Sequence, residues 1–292
     1  MRSAAFKKWV AYPLTGIAFA ILMAVFRLLP VAVASALGGR ILRFFGPHLA
    51  GPSRIARRNL ALAFPQMPEK EIDALLPRIW ENLGRVMAEY PHLHALESGA
   101  SGRVEVAENE HLEALLGRDG PALIITAHLG NWELFETLQA RFGKPISFVY
   151  REPNNPLVAR MLRHFRGPNS FAKGREGAAQ LLEWLGRGNK AVLLIDQKMS
   201  NGIPVPFFGV DAMTAPAVAG LAHRFSCPIY PLHMERIGGV HFRLTVEAPV
   251  LADASKPRAA AAPETMKRLN AIVEGWVRER PEQWLWIHRR WP

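Results

Sequence analysis

At 292 residues and 49% hydrophobic content, the chain has ample material for one large core or two small ones. Its single cysteine, Cys227, excludes a disulfide framework and a cysteine-based zinc cluster, and suits a reducing compartment. Thirty-six Lys and Arg against 25 Asp and Glu leave a net charge of +11. That surplus favours anionic partners: nucleic acid, anionic lipid headgroups or an acidic carrier protein. No nucleic-acid module is legible, and the basic residues are scattered among apolar and aromatic stretches, so nucleic acid is set aside.

In chain order, residues 9–26 (WVAYPLTGIAFAILMAVF) form an uncharged run, with Lys7 and Lys8 before it and Arg27 after it. Its length is at the lower edge of what spans a bilayer. LLPVAVASALGG (28–39) prolongs the apolar character. A cleaved signal peptide is the rival, since AVA at 32–34 has the form of a cleavage site, but Arg27 and Pro30 interrupt the run before it. The reading is an uncleaved membrane anchor over residues 1–45, either a transmembrane helix or a segment in the interface. A second domain then fills residues 46–292. Positive charge flanks both ends of the apolar run, so charge alone sets no orientation.

Downstream, GPSRIARRNLALAF and EKEIDALLPRIWENLGRVMAEYPHL read as amphipathic helices, and RVEVAE (103–108) and ALIITA (122–127) as short strands. A helix over 132–142 follows, then a strand around ISFVY, helices across 156–166 and 175–187, and the strand AVLLID (191–196). A helix near 215–225, the strands PIYPLHMERI and HFRLTVEAPV, and a terminal helix over 263–280 complete the chain. This alternation predicts an α/β fold with a mostly parallel central sheet flanked by helices. Thr214, after VPFFG (205–209), is expected to cap the helix that follows. Phe207 and Phe208 are assigned to core packing, with the lining of an apolar channel as the alternative. Arg54, Arg57 and Arg58 share one helix face, suited to anionic lipid or simply to solvent. WLWIHRRWP at the C-terminus reads either as an interfacial belt or as a segment packed on the sheet.

The chemistry concentrates in TAHLGNWELFE (126–136), where an apolar strand breaks into a polar turn. On one continuous helix His128 and Glu133 would lie about 140° apart. Across a strand–turn–helix junction the carboxylate can instead fold back onto the ring. Gly130 relaxes the turn, Asn131 is the expected N-cap, and Glu133 falls in the first helical turn, where the dipole favours an ionised carboxylate. A carboxylate on one imidazole nitrogen leaves the other free to take a proton from a hydroxyl, so His128 and Glu133 are the catalytic candidates. Backbone amides after Gly130 are candidate oxyanion donors. Arg151 follows ISFVY at the same sheet edge and is a candidate clamp for an oxyanion such as a phosphate. Arg163, Arg166 and Arg175 crowd the next segment and are assigned to substrate binding. Asp196 closes a third strand at that edge and is assigned to positioning substrate, with no metal implied.

HLGNWE resembles the bacterial lipid A (lauroyl/myristoyl, or late) acyltransferases, within the wider lysophospholipid acyltransferase group whose signature is H-x4-D/E. Six further segments carry the resemblance in order: RIARRNLALAFP, IWENLGRVMAEY, FVYREPNNP, LLIDQK, VPFFG with Thr214, and PEQWLWIHRRW. It covers the chain from about Arg54 onward and implies a glycerolipid-acyltransferase-like fold. It also implies an acyl chain moved from acyl carrier protein to a hydroxyl of a lipid A precursor, without a cofactor. It places the enzyme among inner membrane lipids, with its catalytic domain on the cytoplasmic side. Three alternatives stay open: another glycolipid acceptor such as a phosphatidylinositol mannoside with acyl-coenzyme A, a lysophospholipid acceptor, and a non-catalytic lipid-binding protein.

Overall fold

Pro30 decides the shape of the N-terminus. The computed structural model describes residues 11–97, 101–134, 146–150, 152–165 and 170–292. Leu29 is extended (φ −93°, ψ 150°), the conformation a following proline imposes. The apolar stretch is therefore cut into α1 (Tyr12–Leu28) and α2 (Val31–Phe45). At 17 residues, α1 is about 26 Å long, short of the roughly 30 Å hydrocarbon thickness of a bilayer. Among the described residues no helix is long and apolar enough to cross a membrane, which corrects the transmembrane helix expected from residues 9–26.

The N-terminal helices belong to the body of the protein. α3 (Ala50–Ala63) and α4 (Glu69–Glu89) follow, and α2 packs on α4 almost backbone to backbone. A Cβ on Gly38 would stand 2.5 Å from the Gly84 carbonyl oxygen, so only glycine permits that approach. Ser35, the residue that would begin a chain cleaved after AVA, is buried in this contact.

After α5 (Leu93–Glu97) comes β1 (Val104–Val106), then α6 (Glu110–Gly117), β2 (Ala122–Thr126) and β3 (Ile146–Tyr150). α7 (Pro156–Phe165), β4 (Ser170–Ala172), α8 (Arg175–Gly186) and β5 (Lys190–Leu194) follow. β6 (Ile203–Phe207), β7 (Val210–Thr214), α9 (Ala217–Phe225), β8 (Ile229–Gly238), β9 (His241–Val246) and α10 (Arg258–Glu279) complete the order. Seven strands form one sheet in the order β1-β9-β8-β2-β5-β3-β4. Its neighbours are parallel except β8 and β9. Side chains of β2 alternate between two cores, as the period of a strand requires. Leu123 and Ile125 belong to the core that holds side chains of α8, α9 and α10, whereas Ala122 and Ile124 belong to the one that holds side chains of α1, α2 and α6.

One expectation changes here, and readings left open above narrow. VPFFG belongs to a β6–β7 hairpin, and Thr214 ends β7; Pro216 occupies the N-cap position of α9 without a side-chain cap. Phe207 and Phe208 are core residues, packed against the buried Trp284, Trp286 and Trp291, so the C-terminal segment packs inside and is not an interfacial belt. Arg57 pairs with Asp73 and Arg58 donates to the Pro292 carbonyl, which commits two of the three arginines on that face of α3 to intramolecular partners.

One buried group ties stability to pH. His233 on β8 stacks on Trp276 with ring centroids 5.1 Å apart, and its Nε2 has no hydrogen-bond partner. Burial lowers its pKa to about 4, a shift that Arg280 adds to and Glu235 opposes. The fold thus prefers the neutral ring, and the unfolded chain takes up the proton first. Stability from this group is complete above about pH 6.5 and drains away as pH falls toward 4, by about 3 kcal/mol in all. In His233→Phe, which keeps the stacking, that part of the slope should vanish from urea midpoints measured between pH 4 and 7. An unchanged slope would assign the acid sensitivity to other groups.

Candidate active site

Register brings the site together. β2 and β5 run parallel with Thr126 opposite Leu194, so residues two beyond each strand end are neighbours at the same sheet edge. Those residues are His128 and Asp196. His128 Nδ1 lies 2.8 Å from Asp196 Oδ1, and the His128 backbone N–H donates to Oδ2 at 2.9 Å. Trp284 Nε1 donates to the same Oδ2 at 2.8 Å. The Asp196 side chain is fully buried. Burial alone would raise its pKa, but the attraction and hydrogen bonds of His128 outweigh it and hold the carboxyl well below the usual carboxylate range. An ionised Asp196 can only accept, so Nδ1 carries the ring proton and Nε2 presents its lone pair. Nε2 stands 3.2 Å from the Gln197 side-chain nitrogen.

Asp196 therefore takes the ring nitrogen that the spacing had reserved for Glu133. Glu133 accepts from Trp132 Nε1 at 3.1 Å, and it opens on the same cavity as His128. The turn between them is tightly held. Gly130 has φ +60°, and a Cβ there would lie 2.5 Å from the Met234 carbonyl oxygen, so glycine is required twice over. Its N–H donates to the Gln283 carbonyl and its own carbonyl accepts from Asn82. Asn131 Oδ1 accepts the Glu133 N–H at 3.2 Å, a bond that closes the turn; the helix it was expected to cap lies mostly outside the described residues. The amides of His128, Leu129, Gly130, Glu133 and Leu134 are all hydrogen-bonded within the protein, so those five do not supply the expected oxyanion donors. The side-chain amide of Gln197 is the donor beside the ring.

A cavity of about 1010 Å³ opens at His128. It runs between α8 and α9, and both helices lead away from the catalytic edge toward strand starts at the opposite edge. Leu181, Leu182, Leu193, Val218, Leu221 and Ala262 make much of its wall. Lys173, Lys198, Arg224 and Arg258 also line it, and among the described residues none of the four forms an ion pair. Ala217 and Arg224 both line it, so it extends at least about 10 Å along α9.

The other predicted residues fall unevenly. Arg175 is exposed at the start of α8 and is not among the lining residues, although Gly174 before it and Gly177 after it are. Arg163 lies in α7. Arg151, Arg166 and most of the helix expected over 132–142 lie outside the described residues; of that stretch 132–134 are described, and 132–133 form a turn. His288 packs edge-on against Trp284 and its Nε2 lies 3.3 Å from the Asp196 carbonyl oxygen; burial lowers its pKa, with Asp196 opposing.

The family model for bacterial lipid A biosynthesis acyltransferases matches residues 3–292. The chain belongs to that family. It is 25% identical over 244 residues to the lipid A biosynthesis lauroyltransferase of Escherichia coli (strain K12), covering 82% of this chain and 78% of that protein. It is 25% identical over 273 residues to the palmitoleoyltransferase of the same organism, covering 90% and 86%. To the phosphatidylinositol mannoside acyltransferase of Mycolicibacterium smegmatis it is 23% identical over 215 residues, covering 71% and 70%. Among solved structures it is similar to the 1-acyl-sn-glycerophosphate acyltransferase of Thermotoga maritima, with TM-score 0.40, 15% identity, and coverage of 87% and 99%. Membership makes this chain an acyltransferase of lipid A biosynthesis, and the non-catalytic lipid-binding alternative falls.

Proposed function

We propose that this lipid A acyltransferase moves a fatty acyl chain from an acyl carrier protein thioester to a hydroxyl of a lipid A precursor. The observation that carries this reading is the His128 imidazole, whose Nδ1 is committed to Asp196 while Nε2 meets an apolar cavity of about 1010 Å³. The acceptor hydroxyl gives its proton to Nε2 as its oxygen bonds to the thioester carbonyl carbon. The C–S bond then breaks, and the imidazolium returns the proton to the departing thiolate. No acyl-enzyme forms, and no metal or organic cofactor enters the scheme. Gln197 is placed to donate to the developing oxyanion. Glu133 acts from the same cavity, steering the acceptor toward Nε2. Arg151, Arg163, Arg166 and Arg175 are the proposed clamp for the acceptor's phosphates, and the apolar wall between α8 and α9 holds acyl chain.

The donor and acceptor are tested together by mass spectrometry of products from the full chain in detergent. The substrates are a lipid A precursor bearing 3-hydroxyacyl chains, with acyl carrier protein or coenzyme A thioesters. The carrier donor is expected to be preferred, and its kcat/KM to fall as salt rises, because a +11 protein steers an acidic carrier through screenable charge. Equal or better use of acyl-coenzyme A would favour the mannoside-type reaction named for the mycobacterial relative.

The proposal also puts the enzyme at the inner membrane, its catalytic domain facing the cytoplasm, with α1 and α2 lying in the interface. Leu14, Ile17, Ile21, Val25 and Leu28 share one exposed face of α1, and Val33, Leu37, Ile41 and Phe44 one exposed face of α2. Leu28 and Phe44 are 85% and 67% exposed, on an apolar surface of the kind that seeks a lipid interface. Deleting residues 1–38 would tear away buried contacts to α4, so charge insertion is the sharper test. Ile21→Glu with Ile41→Glu is expected to move the folded protein from the membrane pellet to the supernatant. Sedimentation like the parent's would leave those faces without a lipid role.

A further inference from the structure

We propose that Glu89, at the C-terminal end of α4 and fully buried, is a positioning residue for the acyl transfer. This inference rests on His128 being the catalytic base. Each oxygen of the Glu89 carboxylate does two things. Oε1 accepts from Arg236 Nη1 at 2.6 Å and from Ser35 Oγ at 2.6 Å. Oε2 accepts from Arg236 Nη2 at 3.0 Å and from Asn131 Nδ2 at 2.7 Å. Asn131 in turn receives the Glu133 N–H, so one buried carboxylate fixes the turn that carries both motif residues into the cavity.

Arg236 extends the hold to the other side of the turn. Its Nε donates to Asn82 Oδ1 at 3.1 Å, and Asn82 Nδ2 donates to the Gly130 carbonyl at 3.1 Å. Its backbone N–H donates to Gln283 Oε1 at 2.8 Å, and the Gln283 carbonyl receives the Gly130 N–H. Gly130 and Asn131 are thus anchored by groups from α4, β8 and the C-terminal segment that touch no reacting atom. Stability alone does not call for such a pair. Two charges this deep, with side chains 7% and 0% exposed, pay heavily in lost hydration, and apolar residues of similar volume commonly serve the fold as well. What an apolar pair cannot do is accept from Asn131. The bond from Ser35 adds α2 to the same carboxylate, so the helix with the exposed apolar face and the catalytic turn share one anchor.

The test uses the full chain and two variants. Glu89→Leu/Arg236→Met removes both charges together and leaves none uncompensated, while Asn131→Ala removes the link whole, its bond to Glu89 and its bond from the Glu133 N–H, and keeps the ion pair. Both are checked for fold by circular dichroism and thermal unfolding. For each folded variant, kcat is expected to drop at least about 30-fold with both KM values within about threefold, since displacing a reacting group by about 1 Å is worth on the order of 100-fold. The rate at which diethyl pyrocarbonate modifies His128, followed by mass spectrometry, should change as well. A folded variant of either kind that keeps the parent's kcat and His128 modification rate overturns the proposal. If the parent transfers no acyl group from any donor, the functional reading fails, and the modification rate still reports on positioning. If the double variant does not fold, Asn131→Ala decides alone.

Discussion

His128→Ala is expected to lower kcat at least about 1000-fold while the protein stays folded, the scale set by loss of a positioned general base. Nε2 is the ring atom that meets the cavity, and Gln197, its nearest side-chain neighbour, has no proton-accepting nitrogen to replace it. Folding should survive, because Asp196 keeps the backbone N–H of residue 128 and the Trp284 indole as donors. Glu133→Ala, with the ring still oriented by Asp196, should fall by about 100-fold, and the double variant should be little worse than His128→Ala alone. Single-turnover measurements with acyl carrier protein donor separate the two. Parent-like turnover by a folded His128→Ala enzyme would end the mechanism.

The turn after β2 was legible because ALIITA ends where polar residues and a glycine begin, and the sheet edge that carries His128 and Asp196 follows from the strand ends alone. Their hydrogen bond was not legible. It depends on Thr126 facing Leu194 across parallel strands, a register that packing sets and local pattern does not encode. Glu133 was given the Nδ1 role because it was the carboxylate close in sequence. The β6–β7 hairpin was hidden for two reasons. Pro204 and Pro206 argue against a strand, yet both are exposed in a two-stranded ribbon, where an edge tolerates proline. The turn residues Phe208 (φ +54°) and Gly209 (φ +74°) take positive φ without the Asn or Asp that usually announces such a turn. Glu89 escaped notice because one carboxylate in an amphipathic helix reads as solvent-facing, while its partner Arg236 is 147 residues away. Pro30, noted against a cleavage site, also ends the first helix at Leu28 and so keeps the apolar character of 28–39 from lengthening it.

Asp196→Asn is expected to be the most telling single substitution, lowering kcat on the order of 10³–10⁴-fold with the fold intact, by analogy with the loss when a triad aspartate becomes asparagine. The reason lies in how the two oxygens are used. Both fixed donors, the His128 N–H at 2.9 Å and Trp284 Nε1 at 2.8 Å, go to Oδ2, whereas among the described residues Oδ1 serves only the ring at 2.8 Å. An asparagine satisfies the two donors with its carbonyl oxygen, which places its NH₂ against Nδ1. A donor there forces Nδ1 to accept, so the ring proton moves to Nε2 and the base loses its lone pair. The substitution thus keeps the packing and inverts the tautomer. Nitrogen-15 shifts of His128 read that inversion directly, and KM should hardly move because neither substrate touches Asp196 in this scheme. Parent-like kcat in a folded Asp196→Asn enzyme would return the orienting role to Glu133, the carboxylate nearest His128 in the sequence.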